Sequence, residues 1–236
     1  MHRLTVTSTA SPSLSPEQQQ RAAAVCERMY ELSDRIAARF VAAFERLDPE
    51  AIKDARWGFT EQTGKVNFER GPIKYVLHAR KHMPLKLRYL PYLKDVRCAF
   101  DIGVGTAQMF MLLRDALGIE VSGLDTSEAE GAFIYKEVRA ALGIENDVAM
   151  FKVVAGTDVP IPPDSAVLAL WPIFDRGWGV EEHAWFMDMC ARQGAERVIW
   201  RFNMVNAAEP ILTFYREKMN AAAPRENDPG FLIVPL

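Results

Sequence analysis

Cysteine is scarce in this chain, long apolar runs are missing, and neither sign of charge dominates. The three cysteines, Cys26, Cys98 and Cys190, stand far apart, odd in number and without Cys-x-x-Cys spacing. That pattern argues against a disulfide framework and against a zinc module, and it fits a reducing compartment. No apolar run approaches the ~20 residues that span a bilayer. The opening stretch Met1–Pro16 lacks the apolar core of a secretory signal, so a cytoplasmic location without membrane contact is expected. That stretch is rich in Ser and Thr, free of acids and carries one Arg. Such a composition suits a frayed terminus, expected over residues 1–14, or faintly an organellar transit segment.

With 28 Lys and Arg against 31 Asp and Glu, the formal net charge of −3 gives the 236-residue molecule no general attraction for nucleic acid or anionic membrane. The balance is uneven, however. From Lys53 to Arg97 there are eleven basic and four acidic residues, a local +7 that leaves −10 elsewhere. This stretch suits an anionic ligand, or simply a solvated helix face. Half the residues are apolar and a quarter charged, which excludes disorder, collagen-like repeats and coiled coil as descriptions of the whole.

Two unequal parts follow from the pattern. Ser15 as N-cap, Pro16 at the first helical position, and Ala22, Val25, Met29, Leu32 and Ile36 three or four apart predict a long amphipathic helix to about Leu47. Gly58, Gly64 and Gly71-Pro72 break the next stretch, Ile73–His82 reads as a short helix, and residues 15–93 together read as a helical N-terminal cap or lid. From Val96 short apolar runs alternate with helical patterns, the mark of βαβ units. Residues 94–236 are therefore expected to form an α/β, Rossmann-like doubly wound, mostly parallel sheet. Strands are predicted at Val96–Ile102, Glu120–Asp125, Val148–Val154, Ala166–Trp171, Arg197–Phe202 and Phe231–Leu236. Helices are predicted at Ala107–Leu117, Ser127–Leu142, Glu181–Gln193 and Ala207–Ala222.

The first of these strands runs into Asp101-Ile-Gly103-Val-Gly105-Thr-Ala107-Gln108 and opens a helix, the setting in which a glycine turn lets backbone approach a ligand. A dinucleotide fingerprint would place its third glycine where Gln108 stands, which weakens an NAD(P) reading. An acid two residues before the first glycine, at the carboxyl end of a strand, is placed to receive a ligand's ammonium group. The second strand ends in Ser122-Gly-Leu-Asp125-Thr126, with Asp125 22 residues after Gly103. There a carboxylate either accepts ribose hydroxyls or caps the turn into a helix.

The run Asp101-Ile-Gly103-Val-Gly105-Thr-Ala107 resembles motif I of the class I S-adenosyl-L-methionine-dependent methyltransferases, usually D/E-x-G-x-G-x-G, with Ala107 in place of the last glycine. The resemblance covers about Val96–Phe202. It implies S-adenosylmethionine as methyl donor, bound through Asp101, Gly103, Gly105 and Asp125, with Thr126 near the adenine. It also implies an acid after the third strand for the adenine amino group. Asp158 in Gly156-Thr-Asp158-Val-Pro160 is the local candidate, or else a plain turn aspartate. Trp171 and Phe174, after the fourth strand, stand where the family faces the transferred methyl, to pack an acceptor or, with Trp171 counted among the cofactor-binding residues, to offer a π-face to the sulfonium, or else as core or lid aromatics. The Asn/Asp-Pro-Pro-Tyr motif of base methylation is absent, so a small-molecule acceptor is expected and nucleic acid is not.

Methyl transfer from a sulfonium is an in-line displacement and needs a base only where the acceptor must lose a proton. His183, after the Gly177–Gly179 loop, is the one positional candidate, unless it is an exposed histidine at a helix start. His78 and His82 lie four apart without the Glu of H-E-x-x-H, and no metal is expected. Where the family has an antiparallel pair at the far sheet edge, this chain has room for one strand, which a second copy in a homodimer would cover. Two rival readings are an NAD(P)-dependent oxidoreductase and a non-catalytic nucleoside-binding module.

Overall fold

A computed structural model describes residues 12–44, 59–60, 65–66, 75–76, 78–126, 132–170, 172, 175, 177–202, 209–225 and 227–236. Helix α1 (Pro16–Phe44) begins where the sequence predicts. The Ser15 hydroxyl accepts the Gln18 N–H at 3.1 Å, and the Gln18 side chain accepts the Ser15 N–H at 3.0 Å, a reciprocal cap. Ala22, Val25, Met29, Leu32 and Ile36 are all buried. After a two-stranded ribbon, β1 (Phe59–Thr60) with β2 (Lys65–Val66), helix α2 (Ala79–Leu87) and a single turn at Leu90–Tyr92 complete the N-terminal part among the described residues.

The remainder alternates strand and helix. β3 (Cys98–Ile102) leads to α3, which starts at Gln108–Met111 and continues through wider π-helical turns over Leu112–Leu117. β4 (Glu120–Asp125), α4 (Ala132–Leu142), β5 (Val148–Met150), β6 (Ser165–Leu170), α5 (Val180–Arg192) and β7 (Arg197–Arg201) follow. Then come α6 (Glu209–Thr213), extended by Phe214–Lys218, and β8 (Phe231–Pro235).

The strand order is β5-β4-β3-β6-β7-β8, parallel throughout except for the β7–β8 pair. This is an α/β, Rossmann-like doubly wound sheet. Its order reverses between β3 and β6, which puts a crevice beyond their carboxyl ends. The expected single strand at the far edge is β8. Its outer side carries one antiparallel bridge, Ala222 to Ile233, with both N–H···O bonds at 2.9 Å.

Alternation along the strands sorts the core into two layers. Ala99, Val121, Ala166, Leu168 and Ile199 face α1 and α3. Phe100, Leu124, Val167, Ala169, Val198 and Trp200 face α5 and α6. The N-terminal part is anchored to the far end of the sheet as well. The Tyr89 hydroxyl donates to Asp228 at 2.7 Å, and Arg201 at the tip of β7 reaches the same carboxylate at 3.0 Å. Among the described residues no helix is long and apolar enough to cross a membrane.

Candidate functional site

The strand tips of β3 and β4 meet at a loop whose shape glycine makes possible. Gly103 and Gly105 have φ of +85° and +53°, in the left-handed region that costs L-residues about 1–2 kcal/mol each. Ala107 takes up the same conformation at φ +57°. Its methyl group is fully buried, worth about 0.8 kcal/mol, so packing offsets much of the strain where the resembling motif has glycine. The loop is laid against β4, with the Gly103 and Val104 N–H groups donating to Leu124 O at 2.8 and 3.2 Å. Gly123 permits this approach, because a Cβ there would stand 2.5 Å from Asp101 O and 2.7 Å from Val104 Cγ2.

The geometry brings four predicted residues, Asp101, Gly103, Gly105 and Asp125, to this one place, with Thr126 beside them. Asp101 pairs in register with Gly123, so that Asp101 and Asp125 project to the same face of adjacent strands. Both carboxylates are 5% exposed. Asp125 is well supplied with donors. Gly105 N–H (3.1 Å) and the Arg139 guanidinium (2.6 Å) reach Oδ2, and Thr126 N–H (2.9 Å) reaches Oδ1. Burial pushes the Asp101 carboxyl up to about 7, against the pull of Lys86 on α2 and with a further push from Asp125. Lys86 is shifted the other way, its ammonium lowered by burial and raised by Asp101. A ligand ammonium group favours the ionised form of such a buried carboxyl and gives it the partner that burial makes it need.

Sequence reasoning missed the contribution of α4. Tyr135 and Arg139, four apart and therefore on one helix face, cover the loop and the carboxylate. A methyl group on Gly105 would lie 3.8 Å from Tyr135 Cζ. Arg139 also points its second amino group at Met150 Sδ, 3.7 Å away. No local signal in the sequence marks Arg139, which shares its helix with the charged Lys136 and Glu137. Gln108, at the end of the loop, donates through Nε2 to Tyr75 O at 3.3 Å, while its buried Oε1 has no partner among the described residues.

Two predicted residues lie elsewhere. Asp158 is a surface residue ion-paired at 3.0 Å with Arg192, in the last turn of α5. That turn precedes β7 and so lies at the amino end of the sheet. Asp158 lies in the segment 151–164 between β5 and β6, and its ion-pair partner is Arg192 rather than a residue of the glycine loop. His183 is neither exposed nor at a mouth. It is 1% exposed, with Nδ1 3.0 Å from the Tyr215 hydroxyl and Trp178, Trp200 and Phe202 around its ring. Trp200 belongs to the layer opposite Asp101 and Asp125, so the sheet separates His183 from the carboxylates. Burial lowers the imidazole to about 4, which keeps it neutral. Trp171 and Phe174 lie outside the described residues.

A surface cavity of about 540 Å³ opens between α5, the end of α6 and the end of β8. Its polar lining residues Asp188, Lys218 and Asn220 are exposed. It holds no buried charge, and the crevice with its two buried carboxylates is the better site.

No protein-family model matches the chain, and no curated protein matches it. Solved structures do. The CcbJ methyltransferase from Streptomyces caelestis is 24% identical over 50% of this chain and 47% of its own, with a TM-score of 0.38. The S-adenosylmethionine-dependent methyltransferase SibL in its apo form is 18% identical over 69% of this chain and 57% of its own, with a TM-score of 0.45. The O-methyltransferase NcsB1 from neocarzinostatin biosynthesis, in complex with S-adenosylmethionine and 2-hydroxy-5-methyl naphthoic acid, is 12% identical over 67% and 57%, with a TM-score of 0.43. The chain thus spans roughly half the length of these solved chains.

Proposed function

We propose that the chain is a cytoplasmic S-adenosylmethionine-dependent methyltransferase acting on a small-molecule acceptor. The carrying observation is the pair of buried carboxylates, Asp101 and Asp125, on one face of adjacent strand tips under a left-handed glycine loop. The residues present fit the methyl donor at its amino-acid end, where the buried Asp101 carboxyl at the tip of β3 can take an ammonium group as its partner. They fit its ribose once Arg139 releases an acceptor site on Asp125.

When bound, S-adenosylmethionine supplies an electrophilic methyl group on a sulfonium. The chain's own part is to hold and orient. Asp101 receives the ammonium, Asp125 the ribose hydroxyls, and Gly103 and Gly105 keep side chains out of the way. In-line displacement needs alignment before it needs a base. His183, neutral and behind the sheet, takes no part. The basic and aromatic N-terminal part, residues 15–93, supplies acceptor selection and water exclusion.

One observation favours a second reading, a non-catalytic module that kept the fold: a buried guanidinium already sits on Asp125. Melting curves with S-adenosylhomocysteine, NADH and NADPH, each at millimolar concentration, discriminate the readings. The methyltransferase reading predicts stabilisation by S-adenosylhomocysteine alone. Stabilisation by a nicotinamide cofactor instead supports an oxidoreductase, and no response to any of the three supports the non-catalytic module. A screen for methyl acceptance then identifies the acceptor.

A further inference from the structure

A carboxylate offers about four acceptor sites, two on each oxygen. On Asp125 three are taken: both on Oδ2, by Gly105 N–H and Arg139 Nη1, and one on Oδ1, by Thr126 N–H. A ribose diol gripped through both hydroxyls needs one site on each oxygen, and Oδ2 has none to give. One of its two donors must leave. Gly105 N–H is fixed by the loop, whose backbone is tied to Leu124 O. The donor free to move is the Arg139 side chain. It arrives from α4 together with Tyr135, whose ring stands against Gly105 from the same helix face.

We infer that α4 carries a built-in competitor for the nucleoside: Arg139 occupies the ribose-binding edge of Asp125, with Tyr135 over the loop, and must swing away for ligand to enter. The inference rests on the methyltransferase reading and adds a regulatory contact to the same site. The structure described here is then the closed member of a pair of states. The affinity measured for a nucleoside is its intrinsic affinity reduced by the fraction of molecules in which Arg139 has let go. In the closed state Arg139 neutralises Asp125, and in the open state the ligand's hydroxyls and the two backbone N–H groups supply its hydrogen bonds.

The test is calorimetric titration of S-adenosylhomocysteine into the wild-type protein and Arg139→Gln, with circular dichroism to establish that both are folded. Glutamine is too short to hold Oδ2 from the same backbone position, and removes the positive charge. Arg139→Lys, which keeps the charge but not the planar fork, carries the comparison if the glutamine variant does not fold. The expected result is binding to Arg139→Gln about tenfold or more tighter than to wild type, with Arg139→Lys between the two. Binding that is unchanged or weaker in the variants overturns the competitor and leaves the methyltransferase reading standing. Absence of binding to every folded protein overturns both.

Discussion

Asp101 and Asp125 are equally buried, on one face of neighbouring strands, yet they meet different partners. Asp125 has two backbone N–H groups and a guanidinium within hydrogen-bond distance, whereas the carboxyl of Asp101 is pushed up to about 7 with Lys86 as the neighbouring cation. The comparison teaches that equal depth does not bring two buried acids the same supply of donors, and a buried polar group depends on that supply.

The sharpest way to break the comparison is to take the donor from Asp125. Arg139→Ala leaves a buried carboxylate with backbone N–H groups alone, and a loss of about 3–5 kcal/mol in denaturant unfolding is expected. A loss below about 1 kcal/mol would show that the pair contributes little to the fold.

A third buried titratable group, behind the sheet, sharpens it. His183 has its folded value lowered to about 4 from 6.5, so the unfolded chain takes up a proton first as pH falls. Its contribution is fully present above pH 6.5 and is lost as pH falls from 6.5 towards 4, by about 3 kcal/mol. His183→Gln should flatten that part of the pH–stability curve; an unchanged slope would contradict the neutral buried imidazole.

The smallest expected effect on stability is at Asp101. Asp101→Asn removes a charge that burial already disfavours but also takes the neighbouring carboxylate from the buried Lys86 ammonium, two opposed effects that should leave a net change within about 1 kcal/mol at pH 8. Ligand binding should respond instead. An ammonium group selects the ionised carboxylate, so wild-type affinity for S-adenosylhomocysteine should rise with pH up to about 7, with proton release on binding below it. The asparagine variant should lose that dependence; a wild-type profile flat between pH 5.5 and 7.5 would detach Asp101 from the ligand.

Much of the architecture was legible in the sequence because period and punctuation agree. β4 falls on Glu120–Asp125 as predicted, and Ser15 caps α1. The positions of Asp101 and Asp125 at strand ends were readable because a glycine turn follows the first and a turn towards a helix the second. Arg139 was not. Its role depends on where α4 lies over the loop, a tertiary fact with no local signature. His183 misled for a related reason. Its place after a glycine loop says nothing about which layer of the sheet its helix covers, and the aromatic cluster of Trp178, Trp200 and Tyr215 that buries it is assembled from three separate segments.

Side-by-side calorimetry of S-adenosylhomocysteine with the wild-type protein and Asp125→Ala tests the central claim most directly. The account predicts binding to the wild type and an affinity at least about tenfold lower, 1.4 kcal/mol or more, in a variant that remains folded. Equal affinity in the two proteins would remove Asp125 from the site and contradict the account.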